Sequence, residues 1–198
     1  MSEPFGHIQR RFDARVNAVV ATLHPGDYYV SQGGELIGTV LGSCVSACVR
    51  DSRLRIGGMN HFMLPMEGGE GGGGWSVGSA ATRFGNVAME RLIQALLELG
   101  GRRDSLEVKL VGGGRVLEAM TDIGQRNIQF VRQYVRSEGL CVVGEDLGDI
   151  YPRKVLYDPA SGSARVKRLA RGDLGVVAEE TRYLQDIDRA AAAGAPVL

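Results

Sequence analysis

The sequence predicts a single α+β domain, a layered α/β sandwich in which mixed β-sheets and hairpins pack against two main helices. Three observations carry that prediction. Short runs that alternate with a two-residue period read as strands: Glu35–Leu41, residues 44–50, Ile56–Met63, Leu106–Val111, Lys154–Tyr157 and Ala164–Leu169. Two longer stretches, about Ala80–Leu99 and Gly124–Ser137, repeat apolar residues at three and four, the helical spacing. Finally, the 198 residues are 44% hydrophobic and 23% charged, near the globular average, with no internal repeat and no dividing linker. The expected divisions are a polar N-terminal extension over 1–26, the domain over 27–170, and a peripheral C-terminal helix or tail over 171–198.

Taken in order, residues 1–25 are polar, with a weak apolar pattern at Val16, Val19, Val20 and Leu23, so the domain is expected to begin near Asp27–Val30. Gly33-Gly34 and Gly42 bound the first strong strand. Val45, Ala47 and Val49 then alternate with Ser46, Cys48 and Arg50, and Asp51–Leu54 is a polar turn before the next extended run. A tight turn centred on Ser52-Arg53 pairs Asp51 with Leu54. Carried along an unbulged antiparallel ladder, the same register sets Cys44 opposite His61. Residues 66–78 read as a flexible glycine-rich loop, and without a following Gly-Lys-Ser/Thr they do not read as a phosphate cradle. The first helix carries Phe84, Val87, Ala88, Leu92, Ala95, Leu96 and Leu99 and ends at Gly100-Gly101. The strand at 106–111 runs into Gly112-Gly113-Gly114, and the second helix stops at Gly139. Leu140–Val143 reads as a short buried strand, and Asp158–Gly162 as a hairpin turn.

Composition excludes several function classes. Lys and Arg total 23 against 23 Asp and Glu, so the formal net charge is zero. Neither a nucleic-acid partner nor a polybasic membrane surface fits that balance. No apolar run approaches the roughly 18 residues that span a bilayer, and the start, MSEPFGHIQRR, lacks a signal peptide's apolar core. No membrane insertion and a cytoplasmic location are therefore expected. Three cysteines and three histidines, with no C-x-x-C pair, give neither a disulfide framework nor a metal site, and no cofactor is called for.

The candidate chemistry lies at Cys44. It follows Gly42-Ser43 at a strand end, where unpaired backbone N–H groups can favour a thiolate and stabilise an oxyanion. A histidine across the hairpin would supply the general base and later the acid. The competing reading makes Cys44 a small buried hydrophobe and His61 a satisfied core histidine. Cys48 shares the strand face but has no histidine in register. Cys141, in Leu-Cys-Val-Val, reads as a core residue, and His7 and His24 read as solvated.

The blocks Thr39-Val40-Leu41-Gly42-Ser43-Cys44-Val45-Ser46-Ala47-Cys48 and Gly57-Gly58-Met59-Asn60-His61-Phe62-Met63-Leu64-Pro65 closely resemble the signature of the CheD family, the chemoreceptor glutamine deamidases. The resemblance continues through Arg83–Met89, Lys109–Gly114, Ile123–Asn127 and Gly144–Gly148, and covers about residues 27–170. It implies a nucleophile at Cys44, a histidine at His61, and an oxyanion site on the backbone at Gly42 and Ser43. The reaction it implies is hydrolysis of glutamine side chains on chemoreceptor cytoplasmic domains. The family's third catalytic member is a threonine six residues before the cysteine. That position holds Gly38 here, and Thr39 stands five before. An offset of one turns a strand side chain to the other face. On this reading either a bulge restores Thr39 or another group orients His61. Some family members also bind a CheC-type phosphatase, which admits a second partner and an alternative role as a non-catalytic adaptor. An esterase acting on methylated receptor glutamates is a third reading. The substrate being a protein surface, an open groove is expected, with the 66–78 loop as a candidate gate.

Overall fold

The structure, a computed structural model, describes residues 5–66, 79–116, 123–171 and 173–194. The alternating runs pair into two five-stranded sheets. The first contains β1 (Gln9–Asp13), β2 (Ala18–Thr22), β4 (Leu36–Leu41), β9 (Arg153–Asp158) and β10 (Ser163–Arg168), in that order. The second runs β3 (Tyr28–Ser31), β6 (Ile56–Asn60), β5 (Val45–Asp51), β7 (Leu106–Gly112) and β8 (Cys141–Leu147). Pairing is antiparallel except at β2–β4 and β7–β8. The helices are α1 (Ala80–Glu98), α2 (Ile123–Ser137) and α3 (Leu174–Ala192). Among the described residues no helix is long and apolar enough to cross a membrane.

The alternation along β5 builds the layers. Val45, Ala47 and Val49 pack with Met89, Leu92 and Leu96 of α1 and with Phe130 and Val131 of α2. Cys44 and Cys48 turn the other way, onto Ile37, Leu41, Val155 and Tyr157 of the first sheet. The order is therefore α1 and α2, second sheet, first sheet, with the apolar face of α3 joining the cluster between the sheets through Leu184 and Ile187. β5 is covered on both faces, so even its polar Ser46 is buried. The layered α+β architecture expected is the one observed, with a third helix, α3, as long as α1.

Three local expectations change. First, residues 9–22, read as polar lead-in, form β1 and β2 and pair residue for residue from Gln9↔Thr22 to Asp13↔Ala18. Only one face of β2 is covered: Ala21 is fully buried, while Phe12 on β1 stays 64% exposed, so the segment looks polar.

Second, the turn after β5 is longer than expected. Asp51 pairs with Ile56 rather than Leu54, and the N–H of Arg55, a non-glycine residue at φ 57°, donates to the Asp51 carbonyl at 2.9 Å. This slips the ladder by two residues and brings Met63, not His61, opposite Cys44. A slip of two preserves the face, so Cys44 and His61 still point to the same side as diagonal neighbours.

Third, Leu140–Val143 is not a buried strand. β8 is the edge of its sheet, and Cys141 is exposed, with Val142 and Val143 at 36% and 47%. A run of apolar residues gives no sign of which face the fold leaves uncovered. Of the 66–78 stretch, everything after Met66 lies outside the described residues.

Candidate active site

Cys44 sits where the chain crosses from one sheet to the other, in the Gly42–Cys44 link between β4 and β5. Three ties hold that link from behind. The N–H of Gly114 donates to the Gly42 carbonyl at 2.8 Å, and the N–H of Gly113 donates to the Cys44 carbonyl at 2.7 Å. Asn127 Nδ2 of α2 donates to the Ser43 carbonyl at 2.8 Å. With all three carbonyls drawn to one side, the three N–H groups converge on the other. Gly113 makes this possible: its φ is +68°, and a Cβ there would meet Ile128 Cγ1 at 2.4 Å.

His61 is positioned by a break in the ladder. Asn60 Oδ1 accepts from the Ala47 N–H at 2.8 Å in place of a backbone carbonyl, while Asn60 Nδ2 donates to the Ala88 carbonyl on α1 at 3.0 Å. The strand then turns, with the His61 N–H donating to the Asp27 carbonyl at 2.9 Å. Val45 and Phe62 re-form the pairing one residue on.

Thr39 meets His61 directly, its Oγ1 lying 2.8 Å from His61 Nδ1 and 2.9 Å from the Leu23 carbonyl oxygen. A hydroxyl has one hydrogen, and a carbonyl oxygen can only accept. The hydroxyl therefore donates to Leu23 and accepts the Nδ1–H of His61. That sets the tautomer and leaves a lone pair on Nε2, which is buried and has no hydrogen-bond partner. The one-residue offset from the family pattern does not keep Thr39 from reaching His61. Parity along a strand holds only within one continuous strand, and residues 42–44 carry the chain to the opposite sheet. Ile37, Thr39 and Leu41 are the inward face of β4; a side chain at Gly38 would meet Val20 and Leu156 instead.

Cys44 Sγ, a ring nitrogen of His61 and a carboxylate oxygen of Glu180 lie within 4.8 Å of one another, all in buried residues. Glu180 comes from α3. Its Oε1 accepts from the N–H of Gly42 at 2.8 Å and of Cys44 at 3.0 Å. Its Oε2 accepts from the N–H of Ser43 at 2.7 Å and from Ser43 Oγ at 2.6 Å. Thiol, imidazole and carboxylate are donor types that zinc accepts. Here, however, the carboxylate is turned to the backbone and both its oxygens are already engaged. Gly42 permits this approach, since a Cβ there would meet Glu180 Oε2 at 2.7 Å.

Burial, reinforced by the charge and hydrogen bond of Glu180, pushes the Cys44 thiol well above its ordinary range. Burial, with a smaller contribution from His24, pushes His61 down to about 3. Both groups are thus neutral at pH 7 in this arrangement. Burial pushes Cys48 up to about 12, and it packs between the sheets opposite Met59. His24 is exposed but pairs with Glu179 at 2.7 Å, and His7 lies 3.7 Å from Asp27. The structure thus brings together Thr39, Gly42, Ser43, Cys44 and His61.

Sequence reasoning missed Glu180 and Asn127. A signal for Glu180 was present: it lies in step with Val176, Leu184 and Ile187, a lone carboxylate within an apolar helical stripe. Asn127 ends one of the resembling blocks, but nothing along the chain pointed to its role, because its two partners are backbone groups from distant segments.

A buried thiol, an imidazole whose tautomer is set by a hydroxyl, and three converging amides on an α+β sandwich define a class, that of thiol-dependent acyl-transfer sites. Comparison with known proteins narrows it. Residues 63–168 match the family described as CheD chemotactic sensory transduction. A protein of Halorhodospira halophila is 55% identical over 194 residues, 96% of this chain and 89% of that protein. One of Hydrogenovibrio crunogenus is 48% identical over 91% of this chain and 94% of its own length. One of Hahella chejuensis is 45% identical over 96% and 90%. Each of the three is named a probable chemoreceptor glutamine deamidase CheD. The chain belongs to the CheD family.

Proposed function

We propose that this protein hydrolyses glutamine side chains on chemoreceptor cytoplasmic domains to glutamate, with Cys44 as nucleophile, His61 as general base and acid, and Thr39 as the positioning residue for His61. The observation that carries the reading is the Thr39–His61 contact of 2.8 Å. It turns a bare, unpartnered Nε2 into the only ring nitrogen able to take a proton from the thiol nearby. A satisfied core histidine would have no such free nitrogen.

The steps balance as follows. His61 Nε2 takes the Cys44 proton as Sγ bonds to the carboxamide carbon. The carbonyl oxygen becomes an oxyanion, for which the N–H groups of Gly42, Ser43 and Cys44 are the donors. His61 returns the proton to the leaving nitrogen, the C–N bond breaks, and ammonia departs from a thioester. Water, deprotonated by His61, attacks the thioester carbon; the C–S bond breaks, releasing glutamate and restoring the thiol. Each turnover replaces a neutral receptor side chain with an anion, a change able to shift receptor packing.

The same reading places the protein in the cytoplasm and, from the family resemblance, admits a CheC-type phosphatase as a second partner. A purely adaptor role leaves the Thr39–His61–Cys44 alignment without a purpose, and the relatives' names favour amide over ester hydrolysis. The test is incubation with a receptor cytoplasmic domain, followed by mass spectrometry of its glutamine peptides. Conversion by wild type, absent in Cys44→Ala and His61→Ala, is expected. Conversion that survives Cys44→Ala would exclude this mechanism.

A further inference from the structure

The amide cradle beside Cys44 is filled by the chain itself. On α3, Val176, Glu180, Leu184 and Ile187 share one face and are 8%, 1%, 2% and 5% exposed. Ala178, Glu179, Arg182, Gln185 and Asp186 face outward. A carboxylate within an apolar stripe is costly unless its charge is matched by donors. Glu180 is matched by the donors of the candidate catalytic link: three consecutive backbone N–H groups and Ser43 Oγ, at 2.6–3.0 Å. In chemical form it is a glutamate on a helix, its carboxylate beside a thiol and an imidazole. That is what hydrolysis of a glutamine on a helix would leave behind.

We propose that α3 is an internal, product-like occupant of the substrate groove. Glu180 stands where the reacting side chain stands, and a substrate helix presenting glutamine enters once α3 withdraws. The substrate half of this inference rests on the deamidase reading above.

The fold permits withdrawal. α3 follows the last strand and adds no strand to either sheet. Beyond its apolar stripe it is held by side chains: Asp188 accepts from the Met66 N–H at 2.6 Å, Glu179 meets His24, and Tyr183 lies against Gly26. The chemistry also explains why a carboxylate serves as the resting occupant. The cradle turns four donors onto Glu180, three of them backbone N–H groups that can only donate. A carboxylate accepts from all of them, whereas a carboxamide has one accepting oxygen and sets an NH2 against N–H groups that can only donate. A substrate must therefore supply binding from the rest of its helix. While Glu180 is seated, burial and, next to it, the Glu180 charge hold the Cys44 thiol protonated.

The sharpest test makes the chain its own substrate. In the full-length protein, Glu180→Gln sets a carboxamide in the cradle. The expected result is its hydrolysis back to glutamate, read by peptide mass spectrometry and absent from Glu180→Gln combined with Cys44→Ala. A carboxamide that persists while wild type converts receptor glutamines overturns the placement.

A second measurement reads withdrawal without any receptor, through alkylation by iodoacetamide resolved at each cysteine. Exposed Cys141 serves as the reference and buried Cys48 as the reporter of unfolding. Glu180→Ala and Leu184→Asp should speed Cys44 alkylation about tenfold or more relative to Cys141 as the buried thiol opens to the reagent, with Cys48 still protected. Rates equal to wild type, or Glu180→Ala that lowers receptor conversion, overturn the proposal. If Leu184→Asp exposes Cys48 as well, the variant has unfolded and Glu180→Ala decides. Self-hydrolysis of Glu180→Gln without any receptor conversion would instead remove the receptor assignment and leave α3 as the occupant.

Discussion

Replacing Thr39 with valine removes one hydroxyl and keeps the side-chain shape. Thr39 is 4% exposed, and its Oγ1 serves two buried groups, the Leu23 carbonyl at 2.9 Å and His61 Nδ1 at 2.8 Å. Valine leaves both without a partner. A buried polar group stranded in this way costs about 1–3 kcal/mol, so a loss of about 2 kcal/mol is a conservative expectation. For a domain of this size that lowers the thermal midpoint by about 4–8 °C. The effect on rate is separate. Without an acceptor for Nδ1–H the imidazole is free to rotate or to move its proton to Nε2, where it can no longer take one from Cys44. General base catalysis contributes about 10²–10⁴-fold, so kcat on receptor glutamine should fall at least tenfold with KM little changed. Thr39→Ser keeps the hydroxyl and should recover most of kcat. The assay pairs a thermal melt with timed mass spectrometry of the receptor peptide. Thr39→Val with wild-type kcat would refute the argument, whatever its stability, because the tautomer would then not depend on Thr39.

Further outcomes follow from the same contacts. Asn127→Ala strands the Ser43 carbonyl and the Leu64 N–H, both tied to a fully buried side chain; about 2–4 kcal/mol of stability should be lost in urea unfolding. Asn127→Asp should do no better, since a carboxylate oxygen would face the Ser43 carbonyl. Gly113→Ala sets a methyl on Ile128 at positive φ and should cost about 2–4 kcal/mol by the same measurement, with receptor conversion impaired because Cys44 loses its rear tie. His61 is held at about 3 in the folded chain against 6.5 when unfolded. Between those values the unfolded chain binds the extra proton. The stability due to neutral His61 is therefore complete above pH 6.5 and lost as pH falls toward 3, by up to about 1.4 kcal/mol per pH unit. Urea melts from pH 7.5 to 5 should steepen in wild type relative to His61→Gln; parallel curves would show that His61 is not held neutral.

Much of the fold is legible along the chain because periodicity is local. The two main helices and the strands around residues 36–60 and 106–112 lie within a few residues of their expected bounds. The errors have a common cause. Whether a strand's second face is covered depends on what packs there, so the half-covered β2 looked like a tail and the apolar edge strand β8 looked like core. Turn length has the same character. The polar run after Asp51 accommodates a two- or a four-residue loop, and the observed ladder takes the longer one. Cys44 and His61 no longer stand opposite each other, but they still share a face because a slip of two residues preserves it.

The candidate site divides along the same line. Gly42, Ser43, Cys44 and His61 could be selected from residue type, spacing and family resemblance, because each lies in a short block with its own signature. The contact between Thr39 and His61 could not, because it spans two sheets and strand parity, applied across the Gly42–Cys44 link, points the wrong way. Glu180 is more distant still, 136 residues beyond Cys44 on a helix that resembles a solvated tail. Local chemistry along the chain named the thiol and the imidazole. Packing of the two sheets set the imidazole's tautomer, and packing of α3 filled the amides beside the thiol, since hydrogen-bond partners are chosen by distance in space rather than along the chain.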